Sequence, residues 1–260
     1  MAVSLYYKLN PTGFLIAFID DKPVGCVIAL KYDNHTGFIG YLAVLRQYRE
    51  HRIGYTLTAK AKAVLHQQGA QVIELISRPE RQTLHGYNKF TRTSSSNEPS
   101  SPKAVRIWKR SVTALLSQHT QASGIKITSA RLTAEAMATS DQRHTGLHRQ
   151  QLWKGIYGLL ANDKSKHTFS IYRDDHLSAW TILEIDGDHC SVAPLYADSF
   201  NEAKALLIYA INYAHSNLSG SAALHVEIEA HCTTESDLLF HTLGFIAHTE
   251  VGSHEQVSFC

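Results

Sequence analysis

No run in the 260 residues approaches the ~18 consecutive apolar positions that a membrane-spanning helix needs. Met1–Tyr7 also lacks the basic start and long apolar stretch of a secretory leader. These absences predict a soluble, cytoplasmic protein with no membrane partner. An excess of one charge is missing too: Lys+Arg 25 against Asp+Glu 23 leaves +2, too balanced for a nucleic-acid binder. Cysteine is scarce and scattered. Cys26, Cys190, Cys232 and Cys260 form no CxxC pair, so neither a zinc site nor a disulfide framework is expected, and reduced thiols are. Six prolines and fifteen glycines exclude collagen-like or Pro-rich material. What remains is an ordinary globular composition, 44% apolar, in a chain well beyond a ~150-residue domain; two compact domains are expected. Histidine alone is plentiful, at sixteen, but dispersed, so no metal site is implied.

Phe14–Asp20 and Val24–Tyr32 are β-rich runs joined by Asp21-Lys22-Pro23, a tight-turn composition. Asp33–Gly37 makes the next turn and Phe38–Leu45 a third strand, an antiparallel meander. Ile53, Leu57, Ala61, Val64 and Leu65 follow helical spacing over 53–68, and Gly69 ends that helix. Gln71–Ser77 then reads as a strand parallel to the third, with a short helix from Pro79 to Phe90. Thr91–Pro102 is small and polar, a linker, and Ala104–Gln118 reads as an amphipathic helix.

The second half repeats this order. His167–Arg173, His176–Ile185 and Cys190–Ala197 form a meander; Asn201–Asn217 is a helix, Ala222–Glu229 a strand, and Ser236–Phe245 a helix. Asp20 and Asp174 lie 154 positions apart, Phe90 and Phe245 155, an offset that argues for two copies of one fold. The expected division is residues 1–95, a linker and helix over 96–123, and 124–260.

Chemistry concentrates at Tyr41–Gly54 (YLAVLRQYREHRIG), where a strand feeds an Arg-rich turn and then a helix. The first N–H groups of a helix are unpaired and sit at the positive end of its dipole. Arg46, Arg49 and Arg52 add three cations there, a combination suited to a diphosphate; a solvated basic loop is the competing reading.

Arg49-Glu50-His51-Arg52-Ile53-Gly54 resembles the Arg/Gln-x-x-Gly-x-Gly/Ala signature of the GNAT superfamily of acyl-CoA N-acyltransferases, with Arg52 where the first Gly is expected. Leu239–Phe245 (LFHTLGF) is similar to the superfamily's closing helix, in the second copy. Val192–Asp198 (VAPLYAD) and Asp141–Gln150 extend the resemblance to a two-domain group in which a GNAT domain precedes a degenerate one. The fold so implied is α/β (α+β): tandem domains, each a mixed, mostly antiparallel sheet with a splayed parallel strand pair and flanking helices. The resemblance implies acetyl-CoA as co-substrate and no metal, with the diphosphate on Arg49, Glu50, His51, Arg52, Ile53, Gly54 and Tyr55, and pantetheine along Leu42, Ala43 and Val44. An N–H near Val44 would polarise the thioester carbonyl.

The activity implied is acetyl transfer to a primary amine of a small molecule, by direct attack in a ternary complex. A catalytically weak ligand-binding or regulatory protein is the alternative. For the acid, His85 aligns with the superfamily's Tyr, while Tyr87 supplies a hydroxyl two residues on; Glu74 is a candidate base, or an outward-facing strand residue. The second copy has no Arg-rich turn and carries Phe240 at the acid position, so no CoA is expected there. Tyr196 and Asp198 are candidates for lining the acceptor pocket. Only about a dozen residues precede Phe14, where the superfamily has a strand and two helices, so the second domain is expected to supply the missing wall unless more chain lies upstream. A monomer or homodimer is expected.

Overall fold

The computed structural model describes residues 2–77, 91–92, 103–116, 125–129, 132–218, 223–231 and 233–258. They fall into two compact units that interleave along the chain. Unit 1 comprises Met1–Ala104, Leu147–Leu152 and Val251–Cys260; unit 2 comprises Val105–Gly146 and Trp153–Glu250. The sequence had suggested three contiguous blocks.

Unit 1 opens with helix α1 (Ala2–Leu9), absent from the sequence reading. Its exit is fixed by buried Asn10, whose Nδ2 donates to the Ala29 carbonyl at 2.9 Å and whose Oδ1 accepts from Gln68 at 2.9 Å. Strands β1 (Phe14–Ile19), β2 (Lys22–Lys31) and β3 (Thr36–Val44) form the expected antiparallel meander. The β1–β2 turn has Asp20 and Asp21 both left-handed (φ 48° and 60°), the geometry that matches strand twist in two-residue hairpins. Helix α2 (Ile53–Gln67) follows, and β4 (Val72–Ser77) pairs parallel to β3. Leu57, Ala61 and Leu65 of α2 are buried on Val27, Ala29, Ile39 and Ile73. The contact is close enough that a Cβ on Gly37 would lie 2.8 Å from Leu65 Cδ1.

Unit 1 takes its last sheet partner from the far end of the chain. Residues 253–258 of β12 (Ile246–Ser258) pair antiparallel with β4, from Ser253↔Ser77 to Ser258↔Val72, and the two-residue β5 (Thr91–Arg92) pairs with the same strand.

Unit 2 is the second copy. Its strands are β6 (Lys103–Val112), β7 (Ile127–Thr128), β8 (Lys166–Arg173), β9 (His176–Asp186), β10 (His189–Ala197) and β11 (Leu224–His231), in the spatial order β6-β11-β10-β9-β8-β7. The β8–β9 turn repeats the first unit's, with Asp174 and Asp175 at φ 46° and 64°. Helices α3 (Ala134–Thr145) and α4 (Gln150–Asn162) contribute Met137, Trp153 and Leu160 to a cluster on Trp180 and Ile182. Helices α5 (Phe200–Ser216) and α6 (Thr234–Thr242) bury Leu206, Leu207, Ile211 and Phe240 against Trp108, Phe169, Val192 and Val226. Each fully buried side chain of this size contributes about 1.5–3 kcal/mol.

The helix expected over Ala104–Gln118 is a correction: Lys103–Val112 is strand, paired antiparallel with β11 from His231↔Val105 to Leu224↔Val112. Trp108 and Val112 are both buried, and a spacing of four fits period 2 as well as period 3.6. Arg110 shares their side of the strand and donates to the Leu243 carbonyl, which disguised the alternation. The helix expected from Pro79 to Phe90 lies outside the described residues.

Candidate active site

In unit 1 the parallel pair opens early. β3 and β4 are in register from Thr36↔Val72 to Ile39↔Leu75 and no further. Tyr41 stands left-handed (φ 55°), an outlier for an aromatic residue and the mark of a bulge that turns the strand away. Beyond it, Ala43 and Val44 keep β2 as neighbour, and among the described residues no strand pairs with 42–44 on the β4 side. The Leu45 N–H donates to the Val24 carbonyl at 2.9 Å; since peptide groups alternate along a strand, those of Val44 face the opening. The Val44 carbonyl accepts there from Arg49 Nε at 3.2 Å. Arg49 therefore ties the loop to the strand end, a role the sequence did not suggest.

A short 3-10 helix (Arg46–His51) carries Glu50 and His51 to Arg52, which caps α2 in the left-handed conformation (φ 56°, ψ 14°). A Gly would adopt this freely; Arg holds it at a cost of about 1–2 kcal/mol. The Arg52 side chain makes no cap bond to α2 and no acid lies in the first turn, and the helical ladder starts with Thr56 N–H on the Arg52 carbonyl. The N–H groups of Ile53, Gly54 and Tyr55 thus keep their outward direction at the dipole's positive end. A Cβ added at Gly54 would make ordinary contacts, with Val44 Cγ2 at 3.7 Å and Leu42 Cδ2 at 3.9 Å. Arg46, Arg49 and Arg52 are exposed around this end. The arrangement can bind a diphosphate beside a free strand edge.

The other face of the sheet was largely missed. Ile39 and Ile73 point into the α2 core, so Phe38 and Glu74, which are paired in register, point away from it. Glu74 is only 7% exposed, which corrects the outward-facing alternative. The Phe38 ring packs over Gly40, where a Cβ would come within 2.5 Å of it. Tyr32 stacks on Phe38 (5.7 Å, 15°), and the Arg149 guanidinium lies 5.3 Å above the Tyr32 ring. Tyr6 of α1 meets Tyr41 at 5.9 Å. Burial, and then the neighbouring Tyr41 hydroxyl, pushes Tyr6 up to about 12. Burial also raises Tyr32 well above the ordinary phenol, against the pull of Arg149. Both phenols stay protonated at neutral pH. His85 and Tyr87, the two candidate acids, lie outside the described residues.

Residues 2–90 match the family model of the acetyltransferase (GNAT) family. The first residues of this chain's α1 through β4, the bulge and the open helix end all fall inside the matched segment. That segment is similar to the domains this family model describes. Solved structures extend the likeness of fold to both units. A protein from Pyrococcus horikoshii assigned as an acetyltransferase is 16% identical, with a TM-score of 0.70 over 99% of this chain and 77% of its own. A GCN5-related N-acetyltransferase from Anabaena variabilis gives 12% and 0.65, covering 97% of this chain and 64% of its own. A tandem GNAT protein from the clavulanic acid biosynthesis pathway gives 11% and 0.59, covering 97% and 84%. No curated protein matches the chain.

The second GNAT-like unit handles the same corner differently. β10 and β11 pair in parallel only from His189↔His225 to Ser191↔Glu227, and the β10–β9 register breaks between Val192 and Leu195, where the Ala193–Pro194 bond is cis. The Arg-rich loop is gone: Asp198 and Ser199 alone connect β10 to α5. Ser199 caps α5, accepting from the Glu202 N–H, and buried Glu202 fills the first turn. Its carboxylate takes bonds from Ser199 (2.7 Å), Ser178 (2.8 Å) and Arg173 (2.5 Å). Burial opposes this charge, but those three donors outweigh burial and hold the Glu202 carboxyl below its ordinary value. The start of α5 thus carries a side-chain cap and a buried carboxylate in its first turn.

Tyr196 and Asp198 belong to unit 2, in a polar network. Tyr196 donates to buried Asp141 at 2.8 Å and stacks with His144 (4.9 Å, 19°). Asp198 pairs with Arg143 (3.1 Å) and contacts His176 (3.0 Å) and His144 (3.5 Å). Phe240 is 2% exposed, stacked with Trp108 at 5.1 Å in the core.

Proposed function

We propose that the protein is an N-acetyltransferase that moves the acetyl group of acetyl-CoA to a primary amine of a small molecule, by direct attack with both substrates bound. One observation carries this reading: the uncapped first turn of α2 opens beside the unpaired edge of Leu42–Val44, so a diphosphate and the amide-bearing arm attached to it find donors in sequence. Acetyl-CoA would supply an activated acyl carbon. Ile53, Gly54 and Tyr55 would hold the diphosphate, with Arg46 and Arg52 adding charge. The N–H and carbonyl of Val44 would orient the arm, and for the Val44 carbonyl to take part, the Arg49 bond must be given up.

The acceptor must approach from the face that α2 leaves open, where Glu74 lies. A neutral amine attacks, so its proton goes to Glu74 directly or through water, and the departing thiolate is protonated by His85 or Tyr87. Unit 2 would shape and stabilise the enzyme without binding CoA. We place the protein in the cytoplasm, as monomer or homodimer. The occupied Val44 carbonyl favours a second reading, a GNAT fold that binds a ligand and transfers nothing. Titration with acetyl-CoA while following thermal unfolding, then CoA release in the presence of an amine library, tests both. Saturable stabilisation with release supports transfer, saturable stabilisation without release supports the second reading, and no shift at millimolar acetyl-CoA rejects both.

A further inference from the structure

In unit 1, on the face away from α2, the ring pairs Tyr6–Tyr41 and Tyr32–Phe38 lie beside two side chains that can carry charges of opposite sign. One is Glu74, buried in β4; the other is Arg149, half-buried above Tyr32. Both lie near enough to act on the Tyr32 hydroxyl. Arg149 belongs to the segment Leu147–Leu152, far along the chain from every other residue of the site, yet that segment is part of unit 1. A guanidinium at this position is informative. An acceptor that is simply a cation, such as a polyamine, gains from Glu74 but meets a like charge in Arg149, and like-charge juxtaposition is costly where water is sparse. A face with one charge of each sign on an aromatic floor complements a ligand that also carries one of each.

We propose that the acceptor is an amino-acid-like zwitterion, a primary amine bearing a carboxylate close by, and that Arg149 is the specificity residue that recognises the carboxylate. The amine then lies on the Glu74 side, nearest the splayed strands, and the protonated phenols of Tyr6 and Tyr32 serve as donors to the carboxylate. Guanidinium suits this task because its planar fork presents five N–H donors, so it can hold Tyr32 and a carboxylate together. The proposal rests on the transferase reading for the purpose of the site, but its test does not need turnover.

The test uses the full chain and calorimetric titration, with and without CoA, of matched pairs that differ only by the carboxylate: phenylalanine and phenethylamine, lysine and cadaverine, histidine and histamine. At least one amino acid should bind about tenfold or more tightly than its decarboxylated partner, the gain expected of one charge-assisted contact. Arg149→Gln should erase that difference, and Arg149→Lys, which keeps the charge without the fork, should weaken it while covering the case in which the Gln variant does not fold. Binding by no pair, equal or tighter binding of the plain amines, or a preference undiminished in either variant overturns the proposal. Acetyl-CoA affinity is measured separately. Its absence overturns the transferase reading and leaves the zwitterion preference to stand or fall on the pairs alone.

Discussion

The sharpest test of the diphosphate site is to add one methyl group. Gly54 lies in the first turn of α2, and the nearest protein atoms to a Cβ built there are 3.7 and 3.9 Å away, ordinary van der Waals contact. Gly54→Ala therefore costs the folded state nothing in space, and it gains helix propensity of up to about 1 kcal/mol. The expected melting temperature is unchanged or higher. If phosphate oxygens sit on the N–H groups of Ile53, Gly54 and Tyr55, the same methyl group intrudes where they must approach. Losing one charge-assisted bond to a backbone N–H costs about 1.5–3 kcal/mol, a roughly 10- to 150-fold weaker Kd for acetyl-CoA. Stability and affinity should thus move in opposite directions, an outcome that general damage does not produce. Calorimetric titration of both proteins with acetyl-CoA, beside thermal melts without ligand, reads the two quantities. A variant that melts at or above the wild-type temperature and binds acetyl-CoA with unchanged affinity refutes the proposed site.

Two further perturbations address the architecture. Glu202→Gln removes the anion at the start of α5 and leaves Arg173 without its charged partner; because the Arg173 side chain is 59% exposed, the loss is that of charge-assisted bonds, about 1.5–3 kcal/mol, or about 3–12 °C in a domain of this size. Because the folded pKa of Glu202 is depressed, its contribution is present above the ordinary carboxylate value of 4.5 and fades as pH falls through the lower folded value. The wild-type melting temperature should therefore drop more steeply below about pH 4.5 than that of Glu202→Gln, and parallel pH profiles for the two proteins would refute this role. Ending the chain at Gly252 removes the strand that pairs with β4 from Val72 to Ser77. Amide exchange in Val72–Ser77 should accelerate and acetyl-CoA affinity fall, whereas wild-type exchange and affinity in the truncated protein would show that β4 needs no partner on that side.

How much of this was legible in the sequence follows from how local each signal is. The meanders, α2, α5 and the paired Asp-Asp turns were readable because hydrophobic period and turn chemistry act within a few residues. The helix start beside Arg46–Arg52 was readable for the same reason. Lys103–Val112 failed because Trp108 and Val112 fit both periods, and β12 was missed because VGSHEQVS is a polar run without a clear apolar alternation. Burial of Glu74 had a signal that could have been used. It interrupts VIELIS, and a nearly continuous apolar strand is covered on both faces, so a carboxylate within it is enclosed. Arg149 had none. Nothing in the spacing of DQRHTGLHRQ assigns its last Arg to unit 1, because that assignment depends on a packing of distant segments.

The two units show what separates a helix end that binds from one that does not. Both have hairpins closed by left-handed Asp pairs, a parallel pair that opens after three or four residues, and a helix leaving the opening. In unit 1 eight residues (45–52) intervene before the helix, its first turn holds no acid, and the N-cap Arg52 side chain accepts nothing from it. In unit 2 two residues intervene, Ser199 accepts from the Glu202 N–H, and the Glu202 carboxylate lies buried in the first turn. A helix end needs an anion or an acceptor, and the source of that anion decides what the unit does. Supplied by Glu202, it is permanent and contributes to folding. Left to a ligand beside Arg46 and Arg52, it makes stability depend on that ligand, which is why acetyl-CoA should raise the melting temperature.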